Sequence, residues 1–351
     1  MFMGITFLED SGYMARMAYM LDRVFRIFGL HGCSVMPFII SGGIPGGCAV
    51  PGVMAARTLR SPKEKIATIL TAPFLSCGAK VPVFLLLAAA FFPDSGASAL
   101  FWITLAGWVM ALISARILRS TVIKGEATPF VMELPPYRMP TLKGMCMHTW
   151  ERVWQYMKKA GTVILAISIL LWAAMTFPGL PEDQAARFED QRGVIQATEW
   201  ESPEAMEEAL ATLDNEEAQL ALRSSLAGIV GTALEPLSKP AGFDWRTNIA
   251  LLGGFAAKEV IVSTLGTSYS LGEVDPEESI GLSEKLRSDP AWNVWTAISL
   301  IAFVLLYAPC FVTVAVIGRE IGWKWAAFSV GFNTALAYGI SVSIYQTGTA
   351  L

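Results

Sequence analysis

Long apolar stretches separated by short polar connections dominate the hydropathy pattern. The uninterrupted ones predict membrane-spanning helices at 66–92, 97–118, 160–178, 247–270, 293–318 and 325–346, because about 20 apolar residues suffice to cross roughly 30 Å of hydrocarbon. Residues 35–56 are also apolar, but Pro37, Gly42, Gly43, Pro45, Gly46, Gly47, Pro51 and Gly52 interrupt them too often for one straight helix, so a discontinuous membrane segment is predicted. Between Glu9 and Phe28, Met14, Met17 and Met20 recur at helical spacing among Arg16, Asp22, Arg23 and Arg26. This predicts a helix lying on the membrane surface or against the bundle. Residues 1–8 are apolar yet reach only about 12 Å as a helix. No basic segment precedes them and no small-residue cleavage site follows, as a signal peptide requires. The chain therefore reads as a fragment or an N-terminally split protein. The fold class expected is all-α: a polytopic helical membrane protein with discontinuous helices.

Composition narrows the function. Hydrophobic residues make up 54% and charged ones 16% of the chain, and mean hydropathy is +0.49; a soluble domain carries about 25% charged residues. That excludes a solvated globular enzyme and makes the lipid bilayer the first partner. With a net charge of -4 and no basic cluster interleaved with aromatics, nucleic acid is not an expected partner. Basic residues mark cytoplasmic connections. Arg57, Arg60, Lys63 and Lys65 lie in one short connection, and Arg116 to Lys159 carries eight Lys and Arg. Gly179 to Trp245 holds 14 Asp and Glu against four Lys and Arg, which predicts an outside loop. Counting the remaining spans puts 271–290 and the C-terminus inside. Within the acidic loop, Glu204, Glu207 and Glu208 with Leu210, Leu213, Leu220 and Leu222 suggest amphipathic helices of a soluble extracytoplasmic subdomain at 181–222 with little part in the path.

A weak internal repeat lays Gly46-Gly47-Cys48-Ala49-Val50-Pro51-Gly52-Val53 over Gly253-Gly254-Phe255-Ala256-Ala257-Lys258-Glu259-Val260. Downstream, Ser76-Cys77-Gly78-Ala79-Lys80-Val81-Pro82-Val83 lies over Pro309-Cys310-Phe311-Val312-Thr313-Val314-Ala315-Val316. Paired interrupted segments point to a transporter's solute site. Cys48, Cys77 and Cys310 sit in apolar segments beside Gly or Pro, where thiolates and freed carbonyls suit a borderline-soft divalent ion such as Fe(II); free Cys also packs as a small hydrophobe. Lys258 and Glu259 fall inside an apolar span, where an ionisable group is costly unless paired or wet. Glu259 is a candidate to attract a cation, and Ser263 shares its helix face. Glu9 and Asp10 form either an acidic vestibule or a solvated helix end. Lys80, His31 and His148 receive no role, and Cys33 and Cys146 read as boundary or loop residues. The chain lacks C-x-x-C, H-E-x-x-H and the G-x-x-x-x-G-K-[ST] phosphate loop, so no catalytic residue and no nucleotide or other cofactor site is expected in it.

Taken as a set, the motifs Leu8-Glu9-Asp10-Ser11-Gly12-Tyr13-Met14-Ala15-Arg16, Gly47-Cys48-Ala49-Val50-Pro51, Ala56-Arg57-Thr58-Leu59 and Ser76-Cys77-Gly78-Ala79-Lys80-Val81-Pro82-Val83 resemble the membrane domain of the bacterial ferrous iron transport protein B family. So do Gly242-Phe243-Asp244-Trp245-Arg246, Gly254-Phe255-Ala256-Ala257-Lys258-Glu259-Val260, Leu306-Tyr307-Ala308-Pro309-Cys310 and Trp323-Lys324-Trp325-Ala326. The resemblance implies two gate-type regions, hence an internal gate repeat, and multi-pass insertion in the bacterial cytoplasmic membrane. It implies Fe(II) as the transported ion, with Cys48, Cys77 and Cys310 lining the path; to these the reading of the residues themselves adds Glu259 and Ser263 as candidate metal ligands. GTP and Mg would act only through a GTPase domain or separate chain, and small accessory iron-transport proteins would be further partners; the resemblance leaves room for a homo-oligomer. On this reading residues 1–120 form the first gate region, truncated at its N-terminus. Residues 121–178 form a central segment with one span, 179–245 an acidic extracytoplasmic loop, and 246–351 the second gate region with the C-terminal spans. The family usually reads Gly-Phe-Gly-Cys-Asn-Val-Pro where this chain has Ala49 after Cys48, so a polar neighbour of the proposed ligand is absent. Two rival functions are a gate-type permease for an organic solute such as a nucleoside, and a non-transporting membrane subunit.

Overall fold

A computed structural model describes residues 2–43, 46–59, 61–124, 136–197, 203–269 and 280–350, and among them there are helices and no strands. The chain divides into two compact units interleaved in sequence. The first comprises residues 1–81, 97–166 and 302–338, the second 82–96, 167–301 and 339–351. Four stretches are long and apolar enough to cross a membrane: Pro62–Phe91, Gly96–Thr121, Val294–Ile321 and Trp323–Ala350. Their burial differs sharply. The apolar windows of Gly96–Thr121 and Trp323–Ala350 are 11% and 22% buried, those of Pro62–Phe91 and Val294–Ile321 56% and 78%. The two buried stretches are also the two that break in the middle. Backbone with unpaired polar groups is tolerated at membrane depth only inside protein or along a wet cavity.

The first unit begins with α1 (Phe2–Asp10) and α2 (Tyr13–Ile27), separated by Gly12 at φ 80. As its spacing predicted, α2 is amphipathic; it buries Met14, Ala18, Asp22 and Phe25 and leaves Met20 exposed. Residues Gly32–Gly43 then turn by 108° relative to α2. The predicted discontinuous segment is α3 (Val35–Phe38), a wide turn over Ile39–Gly43 with Gly42 at φ 137, and α4 (Ala49–Ala55). Next comes α5 (Pro62–Thr71), a tight turn at 72–74, extended backbone at Leu75 and Cys77, and α6 (Val81–Phe91), which passes into the second unit. The long helices α7 (Gly96–Thr121) and α8 (Leu142–Thr176) contribute most of one and the first part of the other. The 160–178 span predicted from hydropathy is thus the end of a 35-residue helix. Cys146 and His148 lie on α8, not in a loop.

The second unit contains α9 (Glu182–Ala197), α10 (Pro203–Ser224), α11 (Leu226–Ser238), α12 (Trp245–Ala256), α13 (Val260–Ser268), α14 (Ile280–Ser288) and the first part of α15 (Val294–Leu306). The two acidic helices pair, with Arg192 bridging Asp214 at 2.5 Å and Glu217 at 2.9 Å. They also pack on other helices of the second unit. Leu222 packs with Ala227 and Ile249, α10 lies on α11 and α13, and the Gln219 amide donates to the Ser268 carbonyl at 2.8 Å. Residues 226–238, which the net charge of 179–245 concealed, form an apolar helix with Leu226, Ile229, Val230 and Leu237 on its exposed face. Residues 247–270, predicted as one span, are α12 and α13 with a break at 257–259.

The last elements are α16 (Phe311–Ile321) and α17 (Trp323–Ala350), the latter shared between the units. Within the first unit Glu320, at the end of α16, forms ion pairs with Arg57 and with Lys65, the second at 3.4 Å. The 293–318 span therefore ends on the side of the Arg57–Lys65 connection. Counting six full spans places these ends on opposite sides, which this ion pairing contradicts. Arg57→Glu should destabilise the protein by about 1–2 kcal/mol, and adding Glu320→Arg should recover at least half, read by thermal unfolding in detergent. If the double variant is no better than the single one, the pairing does not hold the two ends together.

Candidate functional site

All four helix starts around which the sequence placed chemistry follow interruptions of apolar backbone. Cys77 and Cys310 occupy the two breaks in the buried spans in nearly the same conformation, with φ -71, ψ 159 and φ -57, ψ 152; each precedes a helical turn. The repeat that laid one over the other is kept in register here. At Cys48 the backbone is extended (φ -136, ψ 135) and caps α4. In the other pair the register slips: the structure restarts at α13 after Glu259, not after Phe255, the residue laid over Cys48.

The three cysteines lie together in the first unit. The Gly78 N–H donates to the Gly47 carbonyl at 2.9 Å, so the Cα atoms of Cys48 and Cys77 can be no more than about 8 Å apart by covalent geometry. Helix α4 packs against α16, and Arg57, two residues beyond α4, pairs with Glu320 in the last turn of α16. The two helices therefore run side by side in the same direction. Their caps, Cys48 and Cys310, fall at the same end, about 14 Å and 15 Å back along the axes. All three cysteines are half-buried, and among the described residues none of them forms a disulfide. Even so, among the described residues no three His, Cys, Asp or Glu side chains are arranged to hold a metal ion.

Several residues without a role in the sequence reading complete this region. The hydroxyls of Ser41 and Ser76, beside Gly42 and Cys77, are buried with no hydrogen-bond partner among the described residues. The Cys310 thiol and the Thr313 hydroxyl are hydrogen-bonded at 3.1 Å. Lys80 is 3% exposed, and its ammonium donates to the carbonyls of Pro73 at 2.9 Å, Leu75 at 3.2 Å and Leu305 at 2.8 Å. The only signal in the sequence was a lysine one turn after a cysteine in an apolar span. His31 is buried as well, with Nε2 3.0 Å from Glu64 and Nδ1 3.6 Å from Asp22. Asp22 in turn accepts from the Gly32 N–H at 2.9 Å and pairs with Arg26 at 2.6 Å, fastening the bend after α2.

Glu259 and Ser263 belong to the second unit. Glu259 caps α13 with an exposed side chain, Lys258 beside it is 3% exposed, and the Ser263 hydroxyl donates to the Val260 carbonyl at 3.2 Å. Asp10, of the pair read as a vestibule, lies 3.5 Å from His148; the side chain of Glu9 is outside the described residues.

Residues 1–91 and 157–324 match the Gate family, described as nucleoside recognition, and residues 100–152 match the ferrous iron transport protein B C terminus. A fusion of Fe(2+) transport protein A with Fe(2+) transporter FeoB from Porphyromonas gingivalis is 41% identical over 98% of this chain and 41% of its own length. The Fe(2+) transporter FeoB of Helicobacter pylori is 38% identical over 99% of the chain and 53% of its own length. That of Methanocaldococcus jannaschii is 35% identical over the whole chain and 47% of its own length. The chain thus spans about half the length of the curated relatives it matches. No solved structure matches it.

Proposed function

The chain belongs to the ferrous iron transport protein B family, of which it matches the membrane portion with its gate regions, and from that premise we propose that it conducts Fe(II) across the bacterial cytoplasmic membrane. The observation that carries the proposal is the meeting of Cys48, Cys77 and Cys310 at three helix starts beside two breaks in buried spans. Breaks free backbone carbonyls for a cation, and a metal-bound thiolate would sit at the positive end of a helix. Conduction favours an incomplete arrangement, because an ion must leave the site as readily as it enters; a closed cage would trap it. The hydroxyls of Ser41 and Ser76, which have no partner among the described residues, suit the water that an incompletely ligated ion retains.

Glu259 and Ser263 are proposed to receive the ion from the second gate region. The regions expected from the sequence, 1–120, 121–178, 179–245 and 246–351, are kept as the functional division. The chain itself is proposed to be non-catalytic, with GTP and Mg acting through a GTPase domain or chain. A small accessory iron-transport protein is a further proposed partner, in line with the fused relative's name. A nucleoside permease is the second reading, favoured by the description of the Gate family, which covers most of the chain.

The two are separated by uptake of radioactive Fe(II) and of a labelled nucleoside into cells lacking their own Fe(II) transporter, with the chain produced alongside a relative's GTPase domain. Fe(II) uptake above the empty-vector control is expected. Nucleoside uptake without Fe(II) uptake would overturn the proposal.

A further inference from the structure

Lys80 had no place in the transport reading, yet its charge is fully satisfied in the first unit's interior. Its three N–H donors meet three carbonyl oxygens at 2.8 to 3.2 Å, and all three acceptors belong to interrupted backbone. Pro73 and Leu75 lie in the stretch where the first buried span breaks, and Leu305 stands just before the break at Tyr307–Cys310 in the second. Gly107 of α7 lets that helix close over the same place: a Cβ there would come within 3.1 Å of the Phe74 carbonyl and 3.4 Å of Leu305. Among the described residues, no carboxylate lies within ion-pair distance of the ammonium. Cys77 and Cys310 are ionisable groups close to it.

A buried ammonium held only by backbone carbonyls is coordinated as a potassium ion is in a carbonyl-lined filter. We propose that the carbonyls of Pro73, Leu75 and Leu305 form a site for a large monovalent cation, which the chain fills with its own Lys80 ammonium. A tethered cation there ties the two broken spans to each other and keeps one positive charge fixed beside the two thiols. A small divalent ion is a poor substitute, since Mg requires near-octahedral ligands at about 2.1 Å. The inference does not depend on which solute the protein transports.

The test is the salt dependence of thermal unfolding of the purified chain in detergent, with potassium chloride compared against N-methylglucamine chloride at equal ionic strength. The native chain should unfold at the same temperature in both. Lys80→Met keeps an apolar stem as far as the ε position and removes the ammonium, leaving its place open. It should unfold earlier in N-methylglucamine and be raised by about 2 °C or more in potassium, with rubidium acting likewise and magnesium not. Equal unfolding of Lys80→Met in every salt would overturn the proposal. Should Lys80→Met give no folded protein even with potassium present, Lys80→Arg decides. A guanidinium offers the same charge and several donors to the carbonyls, so folding restored by Arg supports a cation site. A chain that rejects Arg as well needs only the shape of lysine, and the proposal falls.

Discussion

Cys77→Ser and Cys310→Ser should each lower Fe(II) uptake by about tenfold, equivalent to about 1.4 kcal/mol of lost stabilisation of the bound ion, while Cys146→Ser should leave it within about twofold. The substitution keeps a small side chain and exchanges a soft, ionisable sulfur for a hard hydroxyl. What makes the comparison decisive is where the structure puts these residues. Cys77 and Cys310 cap helical turns without a side-chain hydrogen bond to the cap backbone, and serine is a better capping residue by about 1 kcal/mol than a residue that does not cap. In Cys310→Ser the new hydroxyl would also retain the bond that the thiol makes to Thr313. Stability should therefore hold or rise, so reduced uptake could not be assigned to a damaged helix. Cys146 lies exposed on α8 and supplies the control. The measurement is initial uptake of radioactive Fe(II), normalised to protein in the membrane, with the chain produced alongside a relative's GTPase domain. Unchanged uptake in both cap variants would reduce Cys77 and Cys310 to packing and favour the organic-solute permease.

The extent to which the sequence foretold this arrangement follows from what hydropathy measures. Continuous helices such as Gly96–Thr121 and Trp323–Ala350 were legible because an apolar run facing lipid has few other solutions. The broken spans were legible as apolar but not as broken. Pro73 and Pro309 stand close to the interruptions, whereas Pro82 sits in the first turn of α6, where proline is tolerated. Residues 257–259 break α12 from α13 without proline, and there the periodicity gave no sign. Cys77 and Cys310 could be paired from their sequence neighbourhoods alone. The carbonyl ligands of Lys80 could not, because backbone acceptors carry no residue code and Leu305 is distant in sequence. The same holds for His31, whose partner Glu64 reads as an ordinary first-turn acid of a membrane helix until the bend after α2 brings the two together.

Gly42→Ala should cost about 3 kcal/mol or more, and Gly46→Ala about 1–2 kcal/mol, although both glycines have positive φ. Left-handed backbone alone penalises a Cβ by about 1–2 kcal/mol, and that is all Gly46 should show: at φ 94 an added Cβ has nothing within 4 Å. Gly42 adds a collision. At φ 137 its Cβ would stand 2.5 Å from the Ser76 carbonyl oxygen and 2.9 Å from the Cys77 nitrogen, both of them backbone. No rotamer change can relieve that contact, so overpacking of about 1–3 kcal/mol is added to the strain. The only relief is for the turn at 39–43 to move away from the break at 75–77. That motion would pull on the Gly78–Gly47 hydrogen bond, which holds the Cys48 and Cys77 segments together. Gly42→Ala should accordingly lose uptake out of proportion to the protein that remains folded, whereas uptake per folded molecule should be nearly unchanged in Gly46→Ala. Thermal unfolding in detergent and normalised Fe(II) uptake read the two effects separately. If Gly42→Ala proves as stable and as active as Gly46→Ala, the turn and the break are not in contact, and Cys48 and Cys77 lose the link that places them at one site.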